Sequence, residues 1–81
     1  LAEVAGWRLS GNHIWRLVDF EDFNEAMRFV NRVARLAESA NHHPDILIQY
    51  SKVKLSLTTH DEGGLTTKDF SLARRINRIA E

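Results

Sequence analysis

The chain holds four histidines, and three of them are placed where they could do chemistry together. His42 and His43 are adjacent and stand directly before Pro44, while His60 closes an alternating apolar stretch. Imidazole has an unperturbed pKa of about 6.5, so it both donates and accepts protons near neutral pH. Three such rings around one ligand would form a general acid–base site that needs neither metal nor covalent step. Neighbouring residues outside a helix project to opposite sides. One ring of the pair can therefore serve a reaction while the other fixes a substrate.

The same residues carry blander readings. A histidine pair before a proline in a turn is often only solvated. Three imidazoles can also hold zinc, although adjacent histidines sit awkwardly on one tetrahedral ion, and no metal site is expected. His13 follows a turn, belongs to no motif and reads as a surface residue. Tyr50, Trp7 and Trp15 read as packing, and the Arg28, Arg32 and Arg35 stripe as a solvated helix face.

The elements that must position the imidazoles follow from the pattern of apolar residues. A short strand is expected from about Gly6 to Leu9, with Trp7 and Leu9 on one face. The turn cluster Ser10-Gly11-Asn12 follows, then a strand from about His13 to Phe20, so the two form a hairpin. Asp22 with Glu25 fits a capping box that opens a helix. Phe23, Ala26, Met27, Val30, Val33, Ala34 and Ala37 recur at helical spacing behind it. That helix should stop near Ser39 or Ala40, because Pro44 biases His43 away from helical geometry. Strands are expected from about Asp45 to Tyr50 and from about Lys52 to Thr59, the latter with Val53, Leu55 and Leu57 on one side. A loop at Asp61-Glu62-Gly63-Gly64 leads to a final helix from about Thr67, burying Phe70, Ala73, Ile76 and Ile79 or Ala80. Thr66 with Asp69 is its expected cap. The order β-β-α-β-β-α predicts an α+β fold, a four-stranded antiparallel sheet with helices packed on one face.

Composition narrows the functions available. Eighty-one residues make one small domain, expected to span residues 1–81. A domain this small gains from self-association, and the open sheet face wants a cover, so a homodimer or homotetramer is expected. Eleven basic and eleven acidic residues balance to zero net charge, which gives no global attraction to nucleic acid or to an anionic membrane. No cysteine is present, so disulfides, thiolate chemistry and cysteine-rich zinc sites are excluded. No apolar run approaches the roughly 20 residues of a membrane span. No signal-peptide pattern opens the chain, and a cytoplasmic location is expected.

Glu38, His42-His43-Pro44, Tyr50, His60 and Asp69 are separated by gaps of three, five, nine and eight residues. This set resembles the signature of the pterin-4a-carbinolamine dehydratase family. The resemblance extends through Gly6-Trp7, Asp22-Phe23-Asn24, Arg32-Val33-Ala34, Lys52-Val53 and Thr59-His60, and so covers nearly the whole chain.

The resemblance implies a four-stranded antiparallel sheet with helices on one side, and a reaction. The 4a-hydroxy-tetrahydropterin left by aromatic amino acid hydroxylases would lose water and become quinonoid dihydropterin. No redox cofactor is implied; the pterin is the substrate. Carried over by position, His42 and His60 would transfer protons and His43 would bind and orient the pterin. Glu38 would meet the pterin's amide and amino edge or orient an imidazole. Backbone groups of Thr58 and Thr59 would meet the ring edge, and Asp69 would polarise a histidine or hold the pocket wall. Asn41 is placed at the substrate too, but stands where many relatives have aspartate, which removes a charge beside the site. Ile46 stands where many have tryptophan, which removes a stacking surface.

Two other readings stay in view. Animal members of the family also act as dimerisation cofactors of a homeodomain transcription factor, so the chain could be a binding module for a helical protein partner. Relatives serving molybdopterin metabolism give a third reading.

Overall fold

A computed structural model describes residues 4–80. Its elements are β1 (Arg8–Ser10), β2 (His13–Asp19), α1 (Phe23–Ala40), β3 (Asp45–Gln49), β4 (Lys52–Leu57) and α2 (Thr67–Ala80), with a single 3₁₀ turn at His60–Glu62. The strands form one sheet in the order β1-β2-β4-β3, antiparallel throughout. This is the expected α+β architecture.

Alternation in β4 sets the sheet's inner face. Val53, Leu55 and Leu57 are buried, and the registers Ile14↔Leu57 and Val18↔Val53 place the buried residues of β2 beside them. α1 and α2 cover this face with Ala26, Phe29, Val30, Val33, Leu72, Ala73 and Ile76. The other face carries Trp15, whose ring lies 4.8 Å from the Lys54 ammonium, and leaves Leu17 and Leu47 about half exposed.

Several expectations shift. The first strand begins at Arg8 rather than Gly6, because Gly6 has φ +86° and Trp7 turns into the core instead of pairing. Trp7 is buried while Leu9 is 58% exposed, so the two do not share a covered face. In α1 the buried stripe runs through Phe29, whose ring packs 5.0 Å from that of Phe20, and leaves Phe23 and Ala34 exposed. In α2 Leu72 joins Ala73 and Ile76 in the core, while Phe70, Ile79 and Ala80 are only half-buried. Tyr50, expected in the core or at an interface, is not in the core: it occupies a two-residue turn between β3 and β4 with φ +54° and is 69% exposed.

Candidate functional site

α1 ends in a way that fixes the histidine pair. Asn41 adopts the left-handed conformation, φ 50° and ψ 42°. Its amide donates to the Glu38 carbonyl, and the His42 amide donates to the Ala37 carbonyl. This is the Schellman arrangement, which satisfies the last helical carbonyls and turns the chain sharply. Asparagine tolerates the left-handed region better than most residues. The turn sends His42 and His43 off in different directions.

His42 turns inward. Its Nε2 lies 2.6 Å from Oδ1 of Asp69, and the side chains are 12% and 0% exposed. Asp69 sits in the first turn of α2, where its Oδ2 accepts from the Thr59 hydroxyl at 2.7 Å and from the Thr66 amide at 2.9 Å. The cap expected between Thr66 and Asp69 is therefore present, and the same carboxylate serves both purposes. Since Thr59 spends its proton on Asp69, the 2.9 Å contact between Thr59 and Thr66 hydroxyls needs Thr66 as donor. The Thr66 hydroxyl in turn accepts from the Lys68 amide at 3.3 Å. Donors thus point at the Asp69 carboxylate from both sides, from Lys68 through Thr66 and Thr59 on one and from His42 on the other. Among the described residues no buried side-chain nitrogen or oxygen lacks a partner.

His43 turns outward. Its Nε2 lies 2.5 Å from Oε2 of Glu38, one helical turn back, and both groups are well exposed at 56% and 79%. Each of these imidazoles meets a carboxylate through Nε2. A carboxylate accepts only, so Nε2 carries the proton and Nδ1 is the nitrogen left for a ligand.

His60 reaches the same place by a different device. The β4 strand ends at Leu57, two residues earlier than expected, and Thr59 pairs with Gly64 across a closed loop. The amides of Glu62 and Gly64 both donate to the Thr59 carbonyl, and Gly63, at φ +74°, donates to the His60 carbonyl. The left-handed angle at Gly63 is one that glycine adopts without cost from a side chain. His60 is exposed at the start of this loop.

The result is one open pocket of about 330 Å³ on which His42, His43 and His60 all border. Asn41, Thr58 and Thr59 also line it, and the Thr58 hydroxyl is committed to the Asn12 carbonyl at 2.6 Å. Glu38 and Asp69 each meet an imidazole, the alternative expected beside a contact with the ligand or the pocket wall. Asp69 is closed to solvent, so it stands behind His42 rather than against anything in the pocket, and Glu38 lies outside the lining beside His43. Two lining residues, Asp61 and Lys68, were not anticipated. The signal for Lys68 was its place next to Asp69 in the first turn of a helix that meets His42. Among the described residues no three His, Asp or Glu side chains cluster closely enough to hold a metal ion. No helix of the described residues is long and apolar enough to cross a membrane.

A family model described as pterin 4 alpha carbinolamine dehydratase matches residues 1–79. A protein of Thermomicrobium roseum named "Putative pterin-4-alpha-carbinolamine dehydratase" is 52% identical over 80 residues, covering 99% of this chain and 86% of its own. A protein of Trichormus variabilis with the same name is 53% identical over 78 residues, covering 96% and 84%. Among solved structures, a transcriptional coactivator/pterin dehydratase from Brucella melitensis superposes with a TM-score of 0.93 at 36% identity, over 99% of this chain and 87% of that one. A pterin dehydratase-like protein identified as a RuBisCO assembly factor in the alpha-carboxysome shares the fold, with a TM-score of 0.80 at 21% identity over 96% and 93%.

Proposed function

The chain belongs to the pterin 4 alpha carbinolamine dehydratase family, and on that premise we propose that it dehydrates a 4a-hydroxy-tetrahydropterin to quinonoid dihydropterin. The observation that carries this reading is the opening of His42, His43 and His60 onto one pocket. The reaction needs a proton delivered to the departing 4a-hydroxyl and a proton removed from a ring nitrogen, with net loss of one water. No redox cofactor enters that balance.

His42 is the proposed base. Its Nε2 proton is held on Asp69, so Nδ1 presents a lone pair, and the imidazolium formed on proton uptake stays paired with a buried carboxylate. His60 is the proposed acid, exposed on a loop whose internal hydrogen bonds fix its backbone. His43, steadied by Glu38, binds and orients the pterin. Asn41 and the Thr58-Thr59 backbone bind the heterocycle edge, and Asp69 acts as a positioning residue. A positioned acid–base pair accelerates such a step by about 10²–10⁴-fold. The chain is proposed to work as a homodimer or homotetramer, supported by the uncovered Leu17, Leu47 and Tyr50; sedimentation checks it.

The test is turnover of a synthetic 4a-hydroxy-tetrahydropterin. His60→Ala should lower it by about tenfold or more while the circular dichroism spectrum is retained. Unchanged turnover in that variant sinks the catalytic assignment.

A second reading is favoured by the Brucella melitensis protein, described as transcriptional coactivator as well as pterin dehydratase. Here the chain would bind a helical protein partner through an exposed helix face such as the Arg28, Arg32 and Arg35 stripe. Partner capture would then ignore His60→Ala and respond to reversal of those charges.

A further inference from the structure

We propose that the preferred substrate is a pterin whose side chain ends in a phosphate or similar anion, held beside the ring by Lys68, Ser71 and Arg75. This rests on the pterin reading above. The observation is a second depression, of about 240 Å³, that shares His42 and Lys68 with the imidazole pocket. The two spaces therefore adjoin across one histidine and one lysine. Its remaining wall is formed by Ser71 and Arg75, with Ala40 and Leu72 contributing apolar surface.

The spacing of the polar groups follows from α2. Lys68, Ser71 and Arg75 are three and four residues apart, so they stand one above the other on a single helix face. That face offers two cations and a hydroxyl. No carboxylate among the described residues lines the depression. Asp69, the acid next to Lys68, is fully buried and engaged with His42, Thr59 and Thr66. Neither Lys68 nor Arg75 forms an ion pair among the described residues. The positive end of the α2 dipole adds to the same field within its first turn. The chain as a whole is neutral, so the attraction for an anion is local to this flank of the site. A phosphate suits such a group because a guanidinium meets it with two parallel hydrogen bonds and an ammonium meets it as a point charge. The pterin ring would lie against the imidazoles, and its side chain would cross Lys68 to bring the anion to Arg75.

The test uses the intact protein and two 4a-hydroxy-tetrahydropterins that differ only in a phosphate on the side chain. At low salt the phosphorylated compound should show a KM about fivefold lower, with kcat alike. Arg75→Gln should erase most of that difference and leave turnover of the plain compound as it was. Arg74→Gln removes a neighbouring exposed cation that does not line the depression, and should keep the difference. Equal KM values for the two compounds overturn the proposal, as does a loss of preference in Arg74→Gln as large as in Arg75→Gln. Inorganic phosphate that changes the turnover of both compounds equally also overturns it, since the depression would then serve a free anion. Turnover of both compounds with equal KM removes this inference and leaves the dehydratase reading standing. Turnover of neither removes both.

Discussion

His42 and Asp69 form a nearly buried pair, Nε2 to Oδ1 at 2.6 Å, and the second oxygen of Asp69 is already engaged by Thr59 and Thr66. The carboxylate thus joins three stretches of chain: the exit of α1, the end of β4 and the start of α2. Asp69 closes the first turn of a helix and sets the tautomer of a histidine with the same three contacts. Its fold and site roles are inseparable, which shapes what its substitution must do.

Asp69→Asn should damage both roles. An amide has one acceptor and one donor end. With its oxygen towards His42, its NH₂ faces the Thr66 amide, and two donors are left without acceptors. With its NH₂ towards His42, the imidazole must accept at Nε2 and carry its proton at Nδ1, the wrong tautomer for a base. We expect a stability loss of about 1–3 kcal/mol and a fall in kcat of about 10²-fold or more. A purely structural role would lower stability and leave the tautomer alone. Nitrogen-15 shifts of the His42 ring, read in the folded fraction, separate the two.

Glu38→Gln should behave differently, although Glu38 also pairs with a histidine. Its partner His43 is more than half exposed, and exposed pairs of this kind contribute only about 0–1 kcal/mol. Thermal stability should therefore stay within about 0.5 kcal/mol of the parent. A glutamine oxygen can still accept from His43 Nε2, so the ring keeps its orientation. We expect KM to rise by a few-fold, on the order of the 1 kcal/mol such a pair provides, with kcat unchanged. A fall in kcat as large as that of Asp69→Asn would show that His43 rather than His42 moves the proton.

The sequence made the elements and the three imidazoles legible, because periodicity and caps are local. Asp22 accepts from the Glu25 amide at 2.8 Å, as its spacing predicted, and β4 buries Val53, Leu55 and Leu57 as its alternation predicted. Which carboxylate meets which histidine was not legible. Glu38 precedes His42 by one turn, and only the left-handed Asn41 gives that neighbour to His43 instead. The pairing of His42 with Asp69 spans 27 residues and depends on α2 packing against α1. Burial of Phe29 in place of Phe23 is likewise a tertiary choice, made by the Phe20 ring beside it.

Asn41→Gly offers a way to read the pocket without disturbing the helix end. Asn41 both ends α1 at φ 50° and lines the imidazole pocket. Glycine is the residue that best adopts the left-handed angle, so the Schellman bonds of Asn41 and His42 should persist. Thermal stability should hold or rise by about a few tenths of a kcal/mol, because the left-handed strain relieved is largely offset by glycine's greater freedom in the unfolded chain. Any change in pterin affinity then reports the lost amide alone. A rise in KM of about tenfold would match one hydrogen bond to the heterocycle. An unchanged KM would assign Asn41 to terminating the helix and to nothing at the ligand.

Asn77→Ala should test the far end of the molecule, where the fold is held without reference to the site. The Asn77 Oδ1 accepts from the Trp7 indole at 2.8 Å and from the Arg16 guanidinium, and its Nδ2 donates to the Ala5 carbonyl at 3.0 Å. One side chain of α2 therefore fastens the segment before β1 and an arginine of β2. Trp7 is only 2% exposed, so alanine at 77 strands its N–H where water cannot readily replace the partner. The expected loss is about 1–3 kcal/mol, measured as a lower denaturation midpoint at unchanged slope. None of these groups borders the imidazole pocket, so kcat and KM should stay at parent values below the melting range. A fall in kcat at full occupancy of the folded state would mean that the anchor of Trp7 reaches the histidines through α2, the helix that carries both Asn77 and Asp69.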